Sequence, residues 1–166
     1  MRRLVGTLLL LMPLISCGRL TATESHLIPE GYRGDVFIVP NISNGQSPER
    51  DGRTIIFRIP ANGILVTQDA PSEGWHVARF YYVGPGGNRR LLDEEPSSVH
   101  DTSENRADMR PFVWFQRSGT MNGTDLPCTI SYAQYYVGTR FHLLTRDQNV
   151  DELRFRQYVR EHHVCP

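Results

Sequence analysis

From Ile28 to about residue 145 the chain is written as short runs rich in β-branched and aromatic residues, each cut off by Gly, Pro, Asn or Asp. No run there keeps a helical period, so the middle of the chain has to fold as strands joined by tight turns. Asp35-Val36-Phe37-Ile38-Val39 is apolar at both parities and reads as a central strand covered on both faces. Thr54 to Ile59 alternates, with Ile55, Phe57 and Ile59 on one face and Thr54 and Arg58 on the other. Pro60-Ala61-Asn62-Gly63 then reads as a hairpin turn into Ile64-Leu65-Val66-Thr67, on the strength of the Asn-Gly pair. His76 to Val83 pairs most simply with Arg89 to Leu92 across Gly84-Pro85-Gly86-Gly87-Asn88.

Phe112 to Phe115 and Cys128 to Val137 complete the β-rich part, and Gly138 to Leu144 reads as one further short strand. Asp93 to Asp108 is acidic and polar, which predicts a solvated, mobile loop. Asn149-Val150-Asp151-Glu152 has the spacing of a capping box, and a helix over 150–163 follows, with Arg160, His162 and His163 in its last turn. Val150 and Leu153 point away from the Phe155 and Val159 side of that helix. Roughly six to eight strands over about 120 residues are what a sandwich uses. The expectation is a mainly β fold: an antiparallel β-sandwich, immunoglobulin-like or prealbumin-like, with a C-terminal α-helix.

The amino terminus sets the address. Arg2 and Arg3 precede an apolar run from Leu4 to Ile15, too short for a permanent span, where about 20 residues are needed, so residues 1–16 read as a cleaved signal peptide. The run ends in Leu14-Ile15-Ser16-Cys17-Gly18, which resembles the lipobox of bacterial lipoproteins. That resemblance implies cleavage before Cys17 and a diacylglycerol thioether on its sulfur, so Cys17 is the expected lipidation site. The expected layout is signal 1–16, lipidated tether 17–27, and a single domain over 28–166. The location implied is the cell envelope, at the outer membrane if the host is Gram-negative, since Gly18 replaces the Asp that favours inner-membrane retention.

All 18 basic residues are Arg, balanced by 18 acids, so no polyanion partner is implied and nucleic acid is not expected. The lack of Lys removes Schiff-base chemistry and Lys-dependent phosphate binding. Three Cys are present. With Cys17 carrying lipid, Cys128 and Cys165 remain in an oxidising compartment and are expected to form a disulfide.

No catalytic residues, metal or cofactor emerge from the motifs. His162, His163 and Cys165 form one cluster where a structural zinc site wants two paired groups, so the histidines are better read as meeting the helix's last carbonyls. Cys128 with His142 is the one thiol and imidazole pair to consider as a nucleophile, against the disulfide reading. Gly84-x-Gly86-Gly87 leads into a strand and reads as a turn, with no helix start to cradle a phosphate. The acids at 93, 94, 95, 101, 104 and 108 lack the spacing of a calcium loop. Trp75, Phe80, Tyr81, Tyr82, Trp114, Tyr132, Tyr135 and Tyr136 fall on or beside strands, as core or as an exposed surface for sugar or protein.

Ile28-Pro29-Glu30-Gly31-Tyr32-Arg33-Gly34, then Ile59-Pro60-Ala61-Asn62-Gly63-Ile64, then Tyr136-Val137-Gly138-Thr139 together resemble an uncharacterised family of bacterial lipoproteins opening with Ile-Pro-x-Gly-aromatic-x-Gly. The resemblance covers roughly 27–160, implies an exported, sandwich-like domain, and supplies no catalytic residues. The function expected is non-catalytic: a membrane-tethered domain, held through its lipid anchor, that binds or scaffolds an envelope protein or glycan. The alternative is a hydrolase of cell-wall or carbohydrate substrates, which needs two facing carboxylates, with Glu30, Asp35 and Glu73 as possible members.

Overall fold

In the computed structural model, residues 22–71, 76–95 and 109–165 are described. The segment expected as a signal peptide, Cys17, Glu73, Trp75 and the acids at 101, 104 and 108 lie outside them. So does the greater part of the acidic stretch expected as a loop, residues 96–108.

Among the described residues ten strands form two sheets: β1 Ala22–Pro29, β2 Gly34–Val39, β3 Glu49–Asp51, β4 Thr54–Arg58, β5 Ile64–Val66, β6 His76–Val83, β7 Arg89–Leu91, β8 Asp93–Glu95, β9 Phe112–Met121 and β10 Ile130–Gly138. One sheet runs β3-β4-β1-β6-β7 and the other β5-β2-β10-β9-β8. The mainly β, sandwich-like expectation holds, with a terminal helix.

The sheets are mixed, where a purely antiparallel sandwich was expected. β1 is parallel to both β4 and β6, β2 is parallel to β5, and β8 is parallel to β9. The cause lies in the connections, which pass between sheets instead of folding back within one. Pro29 to Gly34 carries β1 into the second sheet as β2, and Pro60 to Gly63 carries β4 across to β5. The Asn62-Gly63 turn is therefore a crossover and not the hairpin its sequence suggests. It is closed by the Gly63 amide donating to the Pro60 carbonyl at 2.8 Å.

β1 also corrects the tether expected over 17–27. Residues 22–27 are the middle strand of the first sheet, flanked on both sides by parallel partners. The β6–β7 hairpin is as expected, with Tyr81 opposite Leu91 and Val83 opposite Arg89. β2 is buried from Asp35 to Val39, as its unbroken apolar run requires.

The parity of β2 divides the protein's interior. Val36 and Ile38 face the space between the sheets with Ile28, Phe57, Phe80, Tyr82, Val113 and Val137. Phe37 and Val39 face the opposite way and meet a second cluster that includes Met121, Ile130, Phe155 and Val159. The last two belong to α2, Gln148–Glu161, which lies on the outer face of the second sheet. Phe155 stacks flat on Phe37 with centroids 4.3 Å apart, while the edge of Tyr132 closes the group at 5.4 Å.

Gly138 to Leu144 does not add a strand. Thr139 caps a short helix, α1 Arg140–Thr145, and α2 follows with Asp147 as its cap, two residues before the expected Asn149. Val150 and Leu153 do point outward, at 58% and 63% exposure. Cys128 and Cys165 form a disulfide with Cα atoms 6.1 Å apart, pinning the chain's last turn to the approach to β10.

Candidate functional site

Both chain direction and side-chain size make one end of the sandwich different from the other. β1 begins, β2 ends, β9 ends and β10 begins at a shared end, because the Pro29–Gly34 connection reverses the chain and β10 runs antiparallel to β2 and β9. At the far end the inner face of the second sheet carries Val36, Val113 and Val137. At the near end it carries Ser118, Thr120, Ser131 and Ala133, since Ser131 pairs with Thr120 and Ala133 with Ser118. Small side chains cannot fill the gap between two sheets, and a groove of about 900 Å³ opens there. Pro40, Asn41, Ala70 and Pro71 also line it.

Glu24 and His26, which share one face of β1 at a spacing of two, form its floor. They are 1% and 4% exposed. His26 sits among the rings of Phe57, Phe80 and Tyr135, at 4.7 to 5.3 Å between centroids. Its Nε2 lies 3.4 Å from the Glu24 carboxylate and its Nδ1 3.2 Å from the Tyr135 hydroxyl. Burial holds the Tyr135 phenol well above its usual pKa, with the nearby charges of Tyr32 and Glu24 adding to the effect. The Glu24 carboxylate can only accept, which puts a proton on Nε2, and a neutral imidazole then accepts at Nδ1 from the Tyr135 hydroxyl.

This carboxylate, imidazole and hydroxyl are in the order of a nucleophile relay, but the chemistry runs the other way. The phenol is held neutral, where a nucleophile needs its ionised form within reach. Both ring nitrogens of His26 are engaged, so neither is poised to take a proton from Ser118 or Ser131. What the groove offers is a hydrogen-bonding floor under a mixed hydroxyl and apolar wall.

A second polar cluster lies at the far end, where all three sequence motifs converge. Asp35, 2% exposed, pairs with the Arg146 guanidinium and accepts from Gln134 Nε2 at 2.9 Å. Arg117 donates to Gln134 at 2.7 Å, and Arg146 lies over the Tyr136 ring at 4.5 Å. From α2, Arg154 donates to the carbonyls of Asp35 and Asn62, each at 3.0 Å. Tyr32 donates to the Asp35 carbonyl at 2.7 Å and lies directly over Gly63, where a Cβ would overlap its hydroxyl. Asp151 has its pKa raised, by burial first and by the Asp35 charge second, against the pull of Arg154 and Arg146. The flanking clefts hold only about 220 and 190 Å³. These groups bond one another and tie α2 to β2 and to the β4–β5 crossover, with the buried Nε atoms of Arg146 and Arg154 left without a partner among the described residues, so the cluster is a clamp.

Asp35 and Glu30 do not face each other, since Glu30 is exposed and salt-bridged to Arg90 at 2.7 Å. Cys128 is held by Cys165, and His142 lies elsewhere, 2.8 Å from the Thr139 hydroxyl and 3.0 Å from Arg33. His162 Nδ1 donates to the Tyr158 carbonyl at 3.0 Å, the helix-end contact its position implied. Among the described residues no group of three or more His, Cys, Asp or Glu is arranged to hold a metal. Glu95 bonds Arg140 at 2.5 Å. Of the consecutive tyrosines, Tyr135 and Tyr136 are both buried because β10 is covered on both faces, whereas Tyr82 is buried and Tyr81 partly open.

Glu24 and His26 were missed because their segment was read as tether. Thr23-Glu24-Ser25-His26 shows no apolar alternation, and the sole local signal is Leu27-Ile28-Pro29, an apolar pair stopped by a proline as at a strand end.

No curated protein matches the chain. A Bacillus anthracis protein of known crystal structure, named as a putative lipoprotein, is similar in fold at a TM-score of 0.51 and 22% identity, over 72% of this chain and 71% of that one. The profile of a family of unknown function, DUF6843, matches residues 21–142, from the start of β1 into α1. That span takes in the groove floor and all three motifs, and the chain belongs to this family.

Proposed function

We propose that this chain is an exported, lipid-anchored domain of the cell envelope that works by binding and not by catalysis. The groove between the sheets carries the reading. Its volume of about 900 Å³ lies within the range of small-ligand sites, and its polar lining consists of serine and threonine hydroxyls, the Asn41 and Gln134 amides and the Arg117 guanidinium around a buried carboxylate and imidazole. Such a surface suits a polyhydroxylated ligand, so an envelope glycan is favoured over a protein partner. The lipobox ending at Cys17 and the lipoprotein name of the Bacillus anthracis neighbour support the anchor. Gly18 favours the outer membrane in a host that has one.

The hydrolase alternative wants a second acid across from the first. Among the described residues Glu24 meets His26, and the acid nearest Asp35 is Asp151, which shares the Arg146 guanidinium with it beside clefts of only about 220 and 190 Å³, too small for a sugar chain. Amide chemical-shift mapping with chitobiose tests the proposal. Shifts confined to His26, Ser118 to Thr120 and Ser131 to Tyr135, with the sugar recovered intact, are expected. Shifts elsewhere, no shifts at millimolar sugar, or release of monosaccharide would overturn it.

A further inference from the structure

We propose that the groove takes the hydroxyl-bearing head group of a lipid in the same leaflet that holds the anchor, entering from the bilayer side. This rests on the anchored-binding reading above and adds an orientation and a ligand source. β1 begins at Ala22, so only Gly18 to Thr21 separate the fold from Cys17. Fully extended, that leash spans at most about 18 Å at about 3.6 Å per residue.

The leash enters the fold at the end where the groove opens. Ala22 is opposite His76 in the β1–β6 register and Thr23 is opposite Thr54, which places the starts of β4 and β6 there too. Glu24 is two residues in, about 7 Å from the strand's start at about 3.3 Å per residue. A domain on so short a leash cannot turn its other end to the membrane, because a strand as long as β1 already exceeds the leash. The groove mouth is therefore the part of the fold nearest the lipid head groups.

The surface around the mouth suits that position. Asn41, Asn44, Gln68, Thr120, Asn122 and Thr124 are exposed there, all neutral and polar. Of the charges on the same end, Arg50 pairs with Asp69 and Arg156 with Asp125, while Asp51, Arg53 and Arg160 are exposed to solvent. Neutral hydrogen-bonding side chains meet a head-group layer of either sign without repulsion, and the groove behind them offers Ser118, Thr120 and Ser131 hydroxyls over Glu24. The head group of a glycolipid has the matching chemistry. Tethering in the same leaflet raises its effective concentration far above that of a free sugar.

The test uses the full lipidated chain in phosphatidylglycerol vesicles, with and without glucosyl diacylglycerol. A fluorophore on Asn122→Cys, at the mouth, is compared with one on Asn88→Cys, in the β6–β7 turn at the other end. Head-group quencher lipids should quench the first several-fold more than the second, and inserting ten Gly/Ser residues after Gly18 should erase the contrast. A photo-crosslinker at Ser118 should capture the glycolipid, with capture at least tenfold lower in Glu24→Gln and in Ser131→Trp, an exposed position whose new side chain blocks the mouth without disturbing the core. Free disaccharide should compete only in large excess. Equal quenching at the two labels, or free disaccharide competing as well as the glycolipid, overturns the proposal while chitobiose mapping on the soluble Cys17→Ser chain still stands. Failure of that mapping as well removes the binding reading beneath it.

Discussion

Tyr135 closes the hydrogen-bond chain on the groove floor, and its phenol is the hinge of two predictions. Tyr135→Phe leaves His26 Nδ1 without its donor, which should cost about 1–3 kcal/mol by urea unfolding while the far-ultraviolet spectrum is unchanged. Tyr32, Tyr82, Tyr135 and Tyr136 all have pKa values raised by burial. Such a phenol stays protonated in the fold but ionises above about pH 10 once the chain unfolds, so the unfolded state then binds fewer protons and stability falls as pH rises past 10. Unfolding free energies measured from pH 9 to 11.5 should decline, and less steeply in Tyr135→Phe by up to about 1.4 kcal/mol per pH unit, the share of one proton. A pH-independent stability there contradicts the burial of these side chains. Gly63 makes a third case. Its φ of +73° and the Tyr32 hydroxyl above it exclude any Cβ, so Gly63→Ala should destabilise by more than about 1 kcal/mol. The motif containing Gly63 was legible in the chain, but its meaning was not. The turn chemistry of Asn-Gly is the same whether the next strand pairs with the last one or crosses to another sheet, and only the position of Tyr32 decides between them.

Strands and helices differ in how openly the sequence displays them. β2 and the β6–β7 hairpin could be read because apolar runs and glycine turns are local signals. β1 could not, since a central strand whose inner face carries Glu24 and His26 lacks the alternation that marks a buried edge-to-face pattern. α1 was hidden for a related reason: Arg140 to Thr145 has no buried residue, so no helical stripe exists to be seen, and the helix is declared mainly by its Thr139 cap. α2 was visible through its terminal residues, though capped two positions earlier than the Asn-x-x-Glu spacing implied. Its hold on the sheet rests on Phe155 and Val159 together with the disulfide. Phe155→Ala, which empties the stack on Phe37, should cost about 3–5 kcal/mol. Cys128→Ser removes a link closing 37 residues of sequence and should cost about 2–4 kcal/mol, read by denaturant midpoint. If the Cys variant matches the parent protein in stability, the bridge does not constrain the chain as described.

At the level of the whole molecule, the two ends of the sandwich have different work. The far end gathers the motif residues into a clamp around Asp35, which explains why the recognisable sequence signature carries no site: it marks the crossovers that make the sheets mixed. The near end has no signature, only small side chains where bulk is expected, and that deficit is the groove. Topology of this kind is written in which sheet each strand joins, a long-range choice that periodicity does not record. The proposed anchor is the reverse case, expected from the sequence alone at Leu14 to Cys17. Because everything proposed about the groove's orientation follows from attachment at Cys17, intact mass spectrometry of the protein extracted from host membranes is the most direct measurement. The account predicts a chain beginning at Cys17 with a diacylglycerol thioether on its sulfur, and a Cys17→Ser variant that is found in the soluble fraction or keeps its signal. A native chain beginning at another residue, or one with a free thiol at Cys17, contradicts it.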